Sequence, residues 1–434
     1  MAGFCKADYV KMPEGISTKR FLLGEDALLR LSEFFRQEFP GKTPWIVADN
    51  NTWRVAGEKA FQLFQNDGLN PAEPFVYPGT PRLHPVYAEA LLLAKRMPEN
   101  AIPVAVGSGV INDMVKCVGG ANNVPYLCVP TACSVDGYTS AGAAMTVDGF
   151  KMTVPCPAPR AICADTGILA TAPGEMFAAG YADLLAKVPA GSDWIIADQL
   201  GQTPIRPEIW ELIQVPLRDQ VTHPDDMQRI FAGLANTGYG MQMMNDSRPA
   251  SGAEHLMSHV WEMEGLQYRG EDVSHGFKVG IGTLACTLLH EYIAEHPWDS
   301  VAGNVLPPQT VEEREQEVDE LLKLNCYGDN AKKTAMSKFL TGDELAARRK
   351  EIAEKWETIR RKIREQNLPY NELCDLMKKA SCPTTPEEIG LSREQFIHAI
   401  FTAQLIRIRY TALDLLQEAG LLAEAVEYVK RHML

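Results

Sequence analysis

The 434-residue sequence contains no CxxC pair: its ten cysteines, at 5, 117, 128, 133, 156, 163, 286, 326, 374 and 382, are scattered. Their scatter excludes a zinc-finger spacing and the disulfide framework of a small secreted domain, and leaves reduced thiols that fill core space. No apolar run approaches the roughly 20 residues of a membrane span. The opening MAGFCKADYVKMPEG has no basic segment followed by an apolar one, so a cytoplasmic location without membrane insertion is expected. Positive charge is also short, with 42 Lys and Arg against 56 Asp and Glu and a net charge of -14. This argues against wrapping a nucleic-acid backbone and points to a small-molecule partner. No internal repeat and no GxGxxG fingerprint occur, so a plain Rossmann fold is not the first expectation.

What is present suggests two domains, since 434 residues with 46% hydrophobic content exceed what one core usually holds. In the first third, β-rich runs at 44–49, 74–79, 102–109 and 124–131 alternate with helical patterns such as VAGEKAFQLFQNDG and HPVYAEALLLAKRM. Strand and helix in alternation predict an α/β domain with a parallel sheet over residues 1–170. Beyond Asp165 extended runs nearly vanish, predicting an all-α domain over 171–434 with an irregular excursion from about 297 to 345. The charged stretch 344–366 alternates Glu with Arg and Lys at helical spacing, as on a solvated helix face.

Three groups of residues carry chemistry. Gly107, Ser108 and Gly109, followed by Val110-Ile111-Asn112-Asp113, close a strand and open a helix, a turn that can present helix N–H groups to a phosphate or can simply need glycine for its backbone. Thr131-Ala132-Cys133-Ser134-Val135-Asp136-Gly137-Tyr138-Thr139-Ser140 crowds hydroxyls, a carboxylate and small residues after the next strand. Both loops belong at the carboxyl edge of the sheet, where ligands bind in open α/β folds, although Asx and Ser/Thr turns have the same composition. Asp183 lies in the helical stretch GEMFAAGYADLLAKV, where an inward carboxylate requires a partner. His255 and His259 share a helix face at i, i+4 and His275 follows; three of only nine histidines in 21 residues, with an Asp elsewhere, suit a divalent first-row metal.

Taken together, GSGVIND, PTACSVDGYTS, ICADTGILATAP, AGYADLLAK, SRPASGAEHLMSH and HGFKVGIGT resemble the glycerol-1-phosphate dehydrogenase family, within the superfamily of iron-containing alcohol dehydrogenases, glycerol dehydrogenase and dehydroquinate synthase. The resemblance covers roughly residues 40–290. It implies a dehydroquinate synthase-like fold, an NAD(P) cofactor and a phosphorylated small-molecule substrate, glycerone phosphate or sn-glycerol 1-phosphate. It assigns cofactor contacts to Asp49, Gly107 to Ile111, Thr131 to Ser134 and Ser140, and metal ligands to Asp183, His255 and His275. The ion implied is zinc, with nickel or iron admitted by the same ligand set. Asp136 and His259 are implied as catalytic and substrate-contacting residues. Asp183 is expected as a further substrate position, and Lys187, Arg248 and Lys278, each beside a metal-site motif, are the candidate cations for the substrate phosphate. A homo-oligomer, at least a dimer, is also expected. Phe277 and Lys278 follow Gly276 where many relatives carry Glu, which leaves open a dehydrogenase of another polyol or sugar phosphate. A cyclising lyase like dehydroquinate synthase and a scaffold protein on a retired enzyme fold are the other readings.

Overall fold

The computed structural model describes residues 6–148, 150–324, 326–328 and 330–434, so Cys5 lies outside the described residues. The chain divides into two compact units. The first comprises the described residues up to Leu184 together with His223–Asp246; the second comprises Leu185–Thr222 and Ser247–Leu434. This differs from the expected boundary near 170, because Gly174–Leu185 runs to the division and the helix Met227–Met244 returns to the first unit. Sequence period shows that a helix buries a face, not which core receives it.

The first unit is built on a seven-stranded sheet, ordered Asp8–Tyr9, Arg20–Gly24, Ala161–Asp165, Leu127–Pro130, Ala101–Gly107, Thr43–Asp49 and Phe75–Tyr77. All pairings are parallel except that of the first edge strand. The central strands are apolar on both faces, as a doubly covered parallel sheet demands. One face packs Leu22, Ile46, Val104 and Val129 against Leu31, Phe34, Phe35 and Phe64. Met114 and Cys117, on the helix Gly109–Asn122, form a second cluster with Ala90, Ala143 and Met145. The last two belong to a strand of the antiparallel hairpin Ala143–Val147 and Phe150–Val154. The register pairs Gly107 with Pro130 and Val47 with Ala105. The carboxyl ends of three adjacent parallel strands, at Asp49, Gly107 and Pro130, therefore share one sheet edge.

The second unit is helical; its described strands are only the two-residue pair Gln267–Tyr268 and Glu271–Asp272. At its centre runs His275–Glu295, buried over nearly its whole length, as a helix surrounded by other helices must be. It crosses Ala253–Met263 at Gly282, where a Cβ would come within 2.4 Å of the Glu254 carbonyl oxygen. The charged helix Gly342–Gln366 buries Leu345, Ile352, Trp356, Ile359 and Ile363. Its opposite side carries ion pairs such as Glu351–Lys355 at 2.7 Å and Arg361–Glu365 at 2.9 Å. The segment expected to be irregular instead contains helices Val311–Leu321 and Asn330–Ser337. The first is opened by a Thr310–Glu313 capping box that supplies its orphan N–H groups with acceptors.

Among the described residues no helix is long and apolar enough to cross a membrane.

Candidate functional site

In the first unit, the strand ending at Gly107 feeds the 14-residue helix Gly109–Asn122. Gly107 is required by close approach, since a Cβ would lie 2.5 Å from that of Ile111. Ser108 stands at the N-cap but its side chain does not cap, and the first turn carries no acid. The first-turn N–H groups and the helix dipole thus suit an anion. Thr131 N donates to Gly107 O at 3.1 Å, which joins the two loops at the sheet edge. Asp49, at the end of the neighbouring strand, caps the next helical turn, with Oδ1 accepting from Asn51 N at 2.8 Å and Thr52 N at 2.9 Å.

The loop from 131 to 140 is held from beneath by a lysine that the sequence reading did not single out. Lys116 is buried, and its Nζ donates to the carbonyls of Gly137 at 2.7 Å and Gly142 at 2.9 Å, with Asp113 3.2 Å away. Its signal was helical phase, one turn beyond Asp113 on the helix that Gly109 opens. Ser134 Oγ pairs with Tyr138 Oη at 3.1 Å, and Ser140 Oγ donates to Gly137 O at 3.2 Å. Thr131, Ala132, Cys133, Ser134 and Ser140 are all buried. Gly180 allows the helix Gly174–Leu185 to lie on this loop, because a Cβ there would fall 2.1 Å from the Cys133 carbonyl oxygen. Three residues further along that helix, Asp183 is fully buried and accepts a hydrogen bond from Asp136 N at 2.9 Å. Asp136 itself is half-buried.

In the second unit, His255 and His259 lie on the helix Ala253–Met263, and His275 is the first residue of the helix that it crosses. The ligand-type atoms of His255 and His275 come within 4.8 Å. Their ring centroids are 5.4 Å apart, and those of His259 and His275 6.3 Å. Each imidazole meets a carboxylate through Nδ1: His255 with Glu254 Oε1 at 2.9 Å, His259 with Glu262 Oε2 at 3.2 Å and His275 with Glu262 Oε1 at 3.3 Å. A carboxylate only accepts, so these contacts place the proton on Nδ1 and leave each Nε2 with its lone pair. Lys278 Nζ also reaches Glu262 Oε1, at 3.0 Å. Burial alone would raise the pKa of Glu262, but His259, His275 and Lys278 outweigh it and hold the carboxyl well below its ordinary value. Burial lowers the pKa of His259 and outweighs the opposing pull of Glu262.

The two remaining predicted cations brace the approach to this helix. Lys187 is fully buried and donates to Ala250 O at 3.0 Å, and buried Arg248 donates to Asp193 O at 2.7 Å. Glu254 and Glu262 were missed in the sequence, although Glu262 stands at i+7 from His255 and i+3 from His259 and so shares their face.

The chain is similar to several known proteins. The family model for iron-containing alcohol dehydrogenase matches residues 22–173. A glycerol-1-phosphate dehydrogenase [NAD(P)+] of Geobacillus stearothermophilus is 32% identical over 280 residues, covering 62% of this chain and 69% of the relative. The enzyme of the same name from Bacillus licheniformis is 27% identical over 431 residues, covering 97% and 93%. The crystal structure of glycerol dehydrogenase from Schizosaccharomyces pombe shares the fold, with a TM-score of 0.56, 15% identity and coverage of 98% of this chain and 93% of that one. The chain belongs to the glycerol-1-phosphate dehydrogenase family of NAD(P)-linked oxidoreductases.

Proposed function

We propose that the chain interconverts glycerone phosphate and sn-glycerol 1-phosphate with NAD(P) and one divalent metal. The observation that carries this reading is the pair His255 and His275, whose Nδ1 atoms are each tied to a carboxylate so that Nε2 is left as the donor. The family resemblance adds Asp183, the buried carboxylate of the first unit, as the third ligand of this reading. Two imidazoles and a carboxylate fit a first-row divalent ion that retains an open coordination position.

Asp183, His255 and His275 would hold the ion, which supplies Lewis acidity at the substrate carbonyl when bound. The cofactor, which supplies the hydride, would lie along Asp49, Gly107 to Ile111, Thr131 to Ser134 and Ser140. The first-turn N–H groups after Ser108 would take its phosphates. Asp136 would contact substrate, and His259 would move a proton at Nε2 to or from the substrate oxygen. Lys187 and Arg248 are the cations proposed for the substrate phosphate. Zinc as the native ion, a cytoplasmic location and at least dimeric assembly belong to the same reading and rest on the family resemblance.

A panel of phosphorylated ketones assayed with NADH and NADPH tests it. Net nicotinamide oxidation with glycerone phosphate, yielding the sn-1 isomer, is expected. Turnover without net cofactor oxidation, or preference for another phosphorylated ketone, would replace it.

A further inference from the structure

Two half-buried imidazoles of the second unit, His259 and His275, belong to different helices and converge on one carboxylate. Glu262 Oε2 faces His259 Nδ1 at 3.2 Å, and Oε1 faces both His275 Nδ1 at 3.3 Å and Lys278 Nζ at 3.0 Å. The Glu262 side chain is 13% exposed, Lys278 4%, and the two histidines about a third each. His255 does not share this carboxylate, because Glu254 serves it alone among the contacts described.

We propose that Glu262 is a positioning residue that sets the tautomer and orientation of His259 and His275 together, so that the proposed metal ligand and the proposed proton carrier are prepared by one side chain. The proposal rests on the metal reading given above. A neutral imidazole has a single N–H, and donating it to Glu262 keeps the proton on Nδ1 and the lone pair on Nε2. In His275 that lone pair is what an ion requires. In His259 it is what a substrate hydroxyl proton requires during oxidation, and the same nitrogen returns the proton during reduction. Lys278 neutralises the buried carboxylate from the same helix as His275 and does so through Oε1, leaving Oε2 to His259.

Glutamine at this position distinguishes tautomer control from simple cross-linking. It has nearly the same shape, but one acceptor oxygen has become an NH2 donor. In Glu262→Gln one of the two imidazoles therefore faces a donor and must turn its lone pair inward or lose the contact. A role limited to tying two helices together would tolerate this change, since hydrogen bonds remain available.

The full-length protein, labelled with 15N-histidine and stripped of metal with a chelator, is the sample to use. Long-range 1H–15N spectra read the protonated ring nitrogen directly. In the wild type, His255, His259 and His275 are expected as Nδ1–H. In Glu262→Gln, His259 or His275 should shift to Nε2–H or to a mixture while His255 stays unchanged, and zinc affinity should fall about 10–100-fold. Nε2–H at His259 or His275 in the wild type would overturn the proposal without any variant. So would a folded Glu262→Gln protein with both tautomers and zinc affinity unaltered. The underlying metal reading fails separately, if His275→Ala retains a full equivalent of zinc.

Discussion

The central helix of the second unit carries two histidines with opposite fates. His275, at its first residue, faces Glu262 through Nδ1 and is about a third exposed. Four turns further on, His290 is fully buried and gives Nε2 to Asp193 Oδ1 at 2.9 Å, with Cys286 3.9 Å away. Asp193, Cys286 and His290 also form a group of metal-ligand types within 4.8 Å of one another. The Asp193 carboxylate and His290 Nε2 are already committed, and His290 Nδ1 is buried without a hydrogen-bond partner. Asp193 accepts from Ala253 N at 2.7 Å and Ala412 N at 2.8 Å, and so anchors the first turns of two helices, one of them carrying His255. Burial opposes its charge, yet His290 and these N–H groups outweigh the cost and keep its carboxyl below the ordinary range. Both clusters bring metal-ligand types within the same reach, but the closed one joins a single imidazole to a thiol and a carboxylate where the other sets His255 beside His275. They differ in that His290 meets its carboxylate through Nε2 in a fully buried setting, whereas His275 meets Glu262 through Nδ1 and stays within reach of a ligand.

The largest effect that sharpens this comparison is expected at the open cluster. His259→Ala should retain metal and cofactor while the rate falls by ~10²–10⁴-fold, the usual loss for a positioned acid or base. Steady-state kinetics with elemental analysis checks it: a loss confined to KM would make His259 a substrate-holding residue, and lost metal would make it a ligand.

At the closed cluster the effect should be on stability. Asp193→Ala leaves His290 and two helix N-terminal N–H groups without their acceptor, a loss of ~3–5 kcal/mol for a broken buried pair. Denaturant unfolding measures it, and a loss below about 1 kcal/mol would remove Asp193 from the scaffold.

A half-buried carboxylate moves the other way. Burial raises Glu418 to about 7, against the pull of Tyr410 and Arg348. With a folded pKa above the unfolded ~4.3, its stabilising contribution is full below about pH 4.3 and is lost as pH rises through about 7. Glu418→Gln, which stays neutral, should therefore gain ~1–3 kcal/mol relative to wild type between about pH 5 and pH 8. Thermal melts at the two pH values check the sign, and an equal difference at both would contradict it.

Much of the site was legible because spacing carries it. Strand runs ending at Asp49, Gly107 and Pro130 placed the loops at one sheet edge, and the i, i+4 pair His255 and His259 defined a helix face. Glu262 shares that face, but among 56 acidic residues a single Glu draws notice only when its helical phase is counted. Lys116 was hidden for a similar reason, since its partners are backbone carbonyls, which leave no trace in sequence. The helices within 297–345 were obscured by Pro, Gly and Asp, although the Thr310–Glu313 capping box was there to be read. The return of Met227–Met244 to the first unit is fixed by contacts such as that of Gly238 with Thr139, where a Cβ would come within 1.8 Å of the hydroxyl oxygen. No local pattern specifies such a partner.

Metal content per folded chain in His255→Ala and His290→Ala, purified side by side, tests the contrast most directly. The account expects His255→Ala to lose the ion and His290→Ala, though less stable, to hold a full equivalent. Retention in the first with loss in the second would contradict it.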